Sequence, residues 1–63
     1  MNNLLNYLCE KINETKQKVK IEETNLEKCT SIKRYDIIEN NLHHYRYLLD
    51  EYVYLYQLAL EEN

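Results

Sequence analysis

YDIIENNLHHYRYLLDEYVYLYQLA, residues 35–59, is the most regularly patterned stretch in this chain of 63 residues. Apolar and tyrosine side chains recur in it at alternating steps of four and three residues. The row consists of Ile38, Leu42, Tyr45, Leu49, Tyr52, Tyr56 and Ala59, with Tyr35 one step earlier. Such steps place side chains on one face of an α-helix. The stretch therefore predicts a long amphipathic helix over residues 32–61.

The first half of the chain carries a thinner helical pattern. Apolar residues recur there at a strict spacing of seven: Leu5, Ile12, Val19 and Leu26. This is a heptad seam. The seam positions between them are Leu8, Thr15, Glu22 and Cys29, of which only the first and last are apolar. We predict a helix over residues 3–28, which Asn2 or Asn3 could cap.

The two patterns do not share a phase. Continued past residue 29, the first heptad falls on four polar positions: Lys33, Asp36, Asn40 and His43. Thr30 or Ser31 could cap a new helix between the two patterns. The sequence therefore predicts an all-α, two-helix antiparallel hairpin as a single domain, residues 1–63, with a link at about 29–32. One long bent helix in a coiled coil is the alternative, because no Gly is present to end the first helix.

The amino-acid composition limits the possible fold classes and sites. The chain contains neither Gly nor Pro, which argues against a β fold and against phosphate-binding loops. A domain this small is marginally stable unless disulfides, a metal or oligomerisation help. We therefore expect two hairpins to form a four-helix bundle.

Lys, Asn, Ile and Tyr, whose codons are AT-rich, fill 26 positions. This codon usage indicates a low-GC genome such as that of a Gram-positive bacterium, its phage or a large DNA virus.

The second helix has more apolar surface than one neighbour can cover. Ile37, Leu48 and Leu55 flank its core row, and Tyr47, Tyr54 and Leu58 lie nearly opposite that row. An apolar patch of this size favours association. We expect both groups to be interfaces, with a second copy of the chain, a larger protein, or both. The predicted function is a non-enzymatic interaction module that regulates or inhibits another protein by helix packing.

Candidate chemistry is sparse. His43 and His44 are adjacent and point about 100° apart on a helix, so they cannot share a metal ion there. Cys9 and Cys29 lie about 30 Å apart on one helix and cannot bridge, so we expect partly buried free thiols. We predict no catalytic, cofactor or metal site and no small-molecule substrate. The sequence also suggests no membrane span and a cytoplasmic location.

Four lysines offer an alternative function. Lys11, Lys16, Lys18 and Lys20 make the first helix locally basic, and a hairpin dimer could bind RNA or DNA through them. Glutamates flank these lysines, and the formal net charge is −3. Both facts make nucleic acid the less favoured partner.

The segment Leu49-Asp50-Glu51, followed by Tyr56-Gln57, resembles the end of the second helix in the small aspartyl-phosphate phosphatases of sporulation signalling. Those proteins are helical hairpins of similar size. Their Ser-Gln-x-Leu-Asp motif would place Ser and Gln where this chain has Arg46 and Tyr47. The resemblance implies a hairpin fold and a degenerate relative without the residues of the phosphatase motif.

Overall fold

The structure, a computed structural model, describes residues 3–62. It contains two helices, α1 (Asn3–Lys28) and α2 (Ile32–Glu62), which pack against each other along their length. Near the link, the Asn41 side-chain amide donates a hydrogen bond to the Glu22 carboxylate at 3.2 Å. At the other end, Leu4 and Leu58 line the same groove. The helices are therefore antiparallel, and the predicted hairpin is confirmed in place of a single bent helix.

The link reverses the chain without glycine. The amide of Cys29 donates to the carbonyl of Leu26 at 3.2 Å, which tightens the end of α1. Ser31 caps α2, because its hydroxyl accepts from the amide of Arg34 at 3.5 Å and its carbonyl accepts from that of Tyr35 at 2.9 Å. Within residues 3–62 no residue has positive φ, so the turn does not require glycine. α1 begins at Asn3, and the alternative cap, Asn2, lies outside the described residues.

The contact between the helices follows the predicted seams. Every predicted seam position of the first half is buried or half-buried: Leu5, Leu8, Ile12, Thr15, Val19, Glu22, Leu26 and Cys29. The core row of α2 is covered in the same way from Ile38 to Ala59. Tyr35 is an exception and remains exposed, because it lies in the first turn of α2 and α1 ends at Lys28.

The core of this hairpin is small. Its buried apolar side chains are Leu8, Ile38 and Leu42, and none within residues 3–62 is fully enclosed. Thr15 is also buried, and its hydroxyl donates to the Lys11 carbonyl of its own helix at 2.6 Å. The molecule measures 48 × 14 × 12 Å, and its radius of gyration is 14.6 Å, against about 10.6 Å for a compact chain of this length. A long shape with a thin core leaves much apolar surface in water.

Candidate protein-interaction surface

One side of α2 away from α1 carries a band of exposed apolar side chains. We call it the outer face, and its apolar members are Ile37, Tyr47, Leu48, Tyr54, Leu55 and Leu58. At 100° per residue, Ile37, Leu48 and Leu55 point within about 20° of one another, and the other three follow over the next 100° or so. All are exposed except Leu48, which is half-buried. The two groups predicted as interfaces therefore form one continuous surface.

Polar residues interrupt the outer face at regular intervals. They are Lys33, Asn40, His44, Glu51 and Glu62, and each is exposed. At 100° per residue their directions fall among those of the apolar members. The outer face is thus a mixed surface, like many non-obligate protein interfaces.

The outer face extends onto α1 at the open end of the hairpin. A groove of about 240 Å³ lies there, and its lining is mostly aliphatic: Leu4, Leu8, Leu55, Leu58, Ala59 and Glu62. Leu4 is exposed although it adjoins the seam residue Leu5. Leu4 was not among the residues predicted to form an interface, although its position four residues before Leu8 places it on the same side of the helix.

The opposite side of the hairpin is more polar. Arg46 donates to the Glu23 carboxylate at 3.0 Å, an exposed ion pair that joins the two helices. Leu60 is exposed on that side of α2, and Ile21 is exposed on α1. These two residues provide matched controls for the outer face, because their exposed fractions, 49% and 59%, are close to those of Leu55 and Ile37, 44% and 60%.

The four candidate lysines do not share one face. Lys11 and Lys18, seven residues apart, approach the rings of Tyr7 and Tyr45 at 5.6 and 5.7 Å from their centroids. Lys16 and Lys20 point roughly 140–180° away from the first pair around α1. This arrangement places the basic charge on two sides of the helix, whereas a backbone-binding surface needs it on one.

Lys11 is the titrating group that the structure perturbs most clearly. Its pKa is raised above the ordinary value of 10.5, mainly by a hydrogen bond from its ammonium to the Glu14 carboxylate at 3.4 Å and by the charge of that carboxylate. The side chains lie one turn apart on the exposed surface of α1. The pair is a local feature of this helix and assembles no reactive site.

Other candidate chemistry stays dispersed. Among residues 3–62, no three His, Cys, Asp or Glu side chains lie close enough to hold a metal ion. His43 and His44 are both exposed. Cys29 is half-buried, and its thiol donates to the Ser31 carbonyl at 3.2 Å. Cys9 is exposed, so the expectation of a partly buried thiol is wrong there: Cys9 follows the seam residue Leu8, and one residue turns the helix by about 100°.

Comparisons with known proteins identify no relative. No family model matches the chain, and no curated protein or solved structure matches it significantly. Neither described helix is both long enough and apolar enough to span a bilayer. Arg46 and Tyr47, which occupy the Ser and Gln positions of the phosphatase motif, are exposed, and Arg46 is engaged with Glu23.

Proposed function

We propose that this chain is a non-enzymatic protein-interaction module that regulates or inhibits its target by helix packing through the outer face of α2. The observation that carries the proposal is the exposure of Ile37, Tyr47, Tyr54, Leu55 and Leu58 on one side of a hairpin that buries just three apolar side chains within residues 3–62. Burying those residues against a partner removes apolar surface from water. Tyrosine suits such a surface, because its ring packs while its hydroxyl can stay hydrated.

The area of the hairpin supports the same proposal. Its accessible surface is 5265 Å², whereas a compact monomer of 7.8 kDa would expose roughly 4,400 Å². The excess, about 900 Å², is close to the ~800 Å² that each partner buries in a standard protein interface. One helical partner along the outer face would therefore bring the chain to the exposure of an ordinary folded protein.

The experiment that tests this function measures association and folding together. Light scattering over a hundredfold range of concentration gives the mass, and urea unfolding followed by circular dichroism gives the stability at each concentration. We expect stability to rise with concentration, because binding stabilises the folded state by mass action. A cooperatively folded monomer whose stability does not depend on concentration would refute the proposal, because such a chain needs no partner.

A matched pair of variants locates the surface. Ile37→Glu and Ile21→Glu introduce the same charge at sites of nearly equal exposure, 60% and 59%, but Ile21 lies on α1, about 140° around that helix from the seam that packs on α2. We expect Ile37→Glu to weaken association at least tenfold and Ile21→Glu to leave it unchanged. Equal effects of the two substitutions would mean that the outer face is not the contact.

A further inference from the structure

Except for Tyr54, the residues of the outer face are arranged symmetrically about the middle of α2. The midpoint of Ile32–Glu62 is Tyr47, beside Leu48. Residues at equal distances on either side of the Tyr47–Leu48 bond form complementary pairs: Ile37 with Leu58, His44 with Glu51, and Lys33 with Glu62. Asn40 and Leu55 are also equally distant from it, but they pair an amide with an aliphatic side chain and are not complementary. The first pair is aliphatic, the second joins a hydrogen-bond donor to a carboxylate, and the third is oppositely charged.

All these residues point in similar directions. At 100° per residue, Lys33, Ile37, Asn40, His44, Tyr47, Leu48, Glu51, Leu55, Leu58 and Glu62 fall within about 50° of one line along α2. That line lies roughly 125° around the helix from the row that packs on α1. A helix docked along it would leave the hairpin contact intact, and it would meet exposed side chains at every position except Leu48.

A two-fold axis is the operation that brings such pairs together. In a symmetric dimer the same patch serves both subunits, and residue i of one copy meets residue j of the other while j meets i. When the axis passes between the two copies of a helix and is perpendicular to both, the copies run antiparallel. Residues equally far along the helix from the axis then meet. Each complementary pair of the outer face would then form twice, and the two helices would overlap from end to end.

We propose that the outer face binds a second copy of this chain, with α2 antiparallel to the partner's α2 about a two-fold axis between Tyr47 and Leu48. This inference rests on the proposed interaction function and names the partner that the outer face binds. The arrangement is a four-helix assembly with the two α2 helices in the middle and the α1 helices outside. Tyr47 and Leu48 lie at the axis and meet both residues of the other copy, His44 and Glu51 lie about one turn from it, and Lys33 and Glu62 lie at the ends.

Single cysteines test the arrangement in the full chain, with Cys9→Ser and Cys29→Ser as the background. A disulfide requires Cα atoms within about 7 Å, so Tyr47→Cys should cross-link to itself under mild oxidation. Two copies of residue 37 would lie about 31 Å apart at 1.5 Å per residue. Ile37→Cys alone should therefore stay uncross-linked, but a mixture of Ile37→Cys and Leu58→Cys chains should form the mixed dimer.

Each outcome bears on the proposal. Cross-linking of Tyr47→Cys with itself, together with the mixed Ile37→Cys and Leu58→Cys product, supports it. Cross-linking of Ile37→Cys with itself would indicate parallel helices and overturn it, although the interaction function would stand. A monomeric and poorly folded wild-type chain would overturn the second copy as occupant and leave the interaction function in place. A stable folded monomer would overturn both.

Discussion

Reversing the charges along the outer face should convert the proposed homodimer into an obligate mixed dimer. An acidic variant carries Lys33→Glu with His44→Glu, and a basic variant carries Glu51→Lys with Glu62→Lys. The acidic variant alone places like charges at both pairs, and the basic variant alone places like charges at 33–62 and removes the carboxylate that His44 would meet. A mixture of the two places opposite charges at three of the four contacts and keeps the His44–Glu51 hydrogen bond at the fourth. All four side chains are exposed and make no hydrogen bond or ion pair to α1 in the described structure, so the hairpin itself should fold unchanged.

The size of the effect follows from the symmetry. The Lys33–Glu62 ion pair and the His44–Glu51 hydrogen bond each form twice, which gives four contacts in the dimer. At about 0.5 kcal/mol for each exposed contact, the loss of all four costs about 2 kcal/mol before any repulsion is added. That energy corresponds to a Kd about 30-fold higher for either variant alone. Because exposed charges are screened by salt, the difference between variant and wild type should shrink at about 1 M NaCl.

Native mass spectrometry of the equimolar mixture is the assay, because the two variants differ in mass. We expect the mixed dimer to exceed both homodimers well beyond the statistical proportion. The control mixes Lys16→Glu/Lys20→Glu with Glu10→Lys/Glu27→Lys, which makes similar charge changes on exposed positions of α1. A statistical mixture from the outer-face variants, or an equal preference in the control, would refute the proposed pairing.

Three further predictions concern the hairpin itself. Leu42→Ala should cost about 2–5 kcal/mol of unfolding free energy in a urea titration, because it opens a cavity in a small core, whereas Leu60→Ala at an exposed site should cost under about 1 kcal/mol. Thr15→Val should raise stability by up to about 1 kcal/mol, because the hydroxyl bonds only to the Lys11 carbonyl; a loss would contradict this. Glu14→Gln should lower the Lys11 pKa toward 10.5 in an NMR titration. Since the folded-state pKa is the higher one, the stabilisation by this pair is present below pH 10.5 and is lost as pH rises through the folded value.

The fold was predictable because periodicity carries most of its information. A strict spacing of seven residues in α1 and the steps of four and three in α2 identify which side chains meet, whatever their chemistry. Thr15 is the clearest example: it is polar, yet it is buried at the seam position that the spacing gives it. The mismatch in phase between the two patterns located the link, and Ser31 supplies the cap there.

Features that depend on how the two helices pack against each other were harder to predict from the sequence. Leu4 extends the apolar surface only because α2 places Leu55 and Leu58 beside it. The exposure of Tyr35 depends on where α1 ends, a relation that the pattern within α2 does not contain. The lysines appeared clustered in sequence, but positions 16 and 20 turn away from positions 11 and 18 once they are placed on a helix.

The two helices differ in a way that indicates where function should be sought. α1 has one buried stripe, and its remaining surface is largely charged and amide side chains. α2 has a second stripe that is largely exposed in the described residues. If folding as a lone hairpin were the whole requirement, a polar outer face like that of α1 would serve better, because exposed leucine and isoleucine favour association. On α2, however, exposed leucine and isoleucine lie beside tyrosines, and Lys33 and Glu62 carry opposite charges at the two ends. This is the pattern expected of a helix that binds a partner through its second stripe.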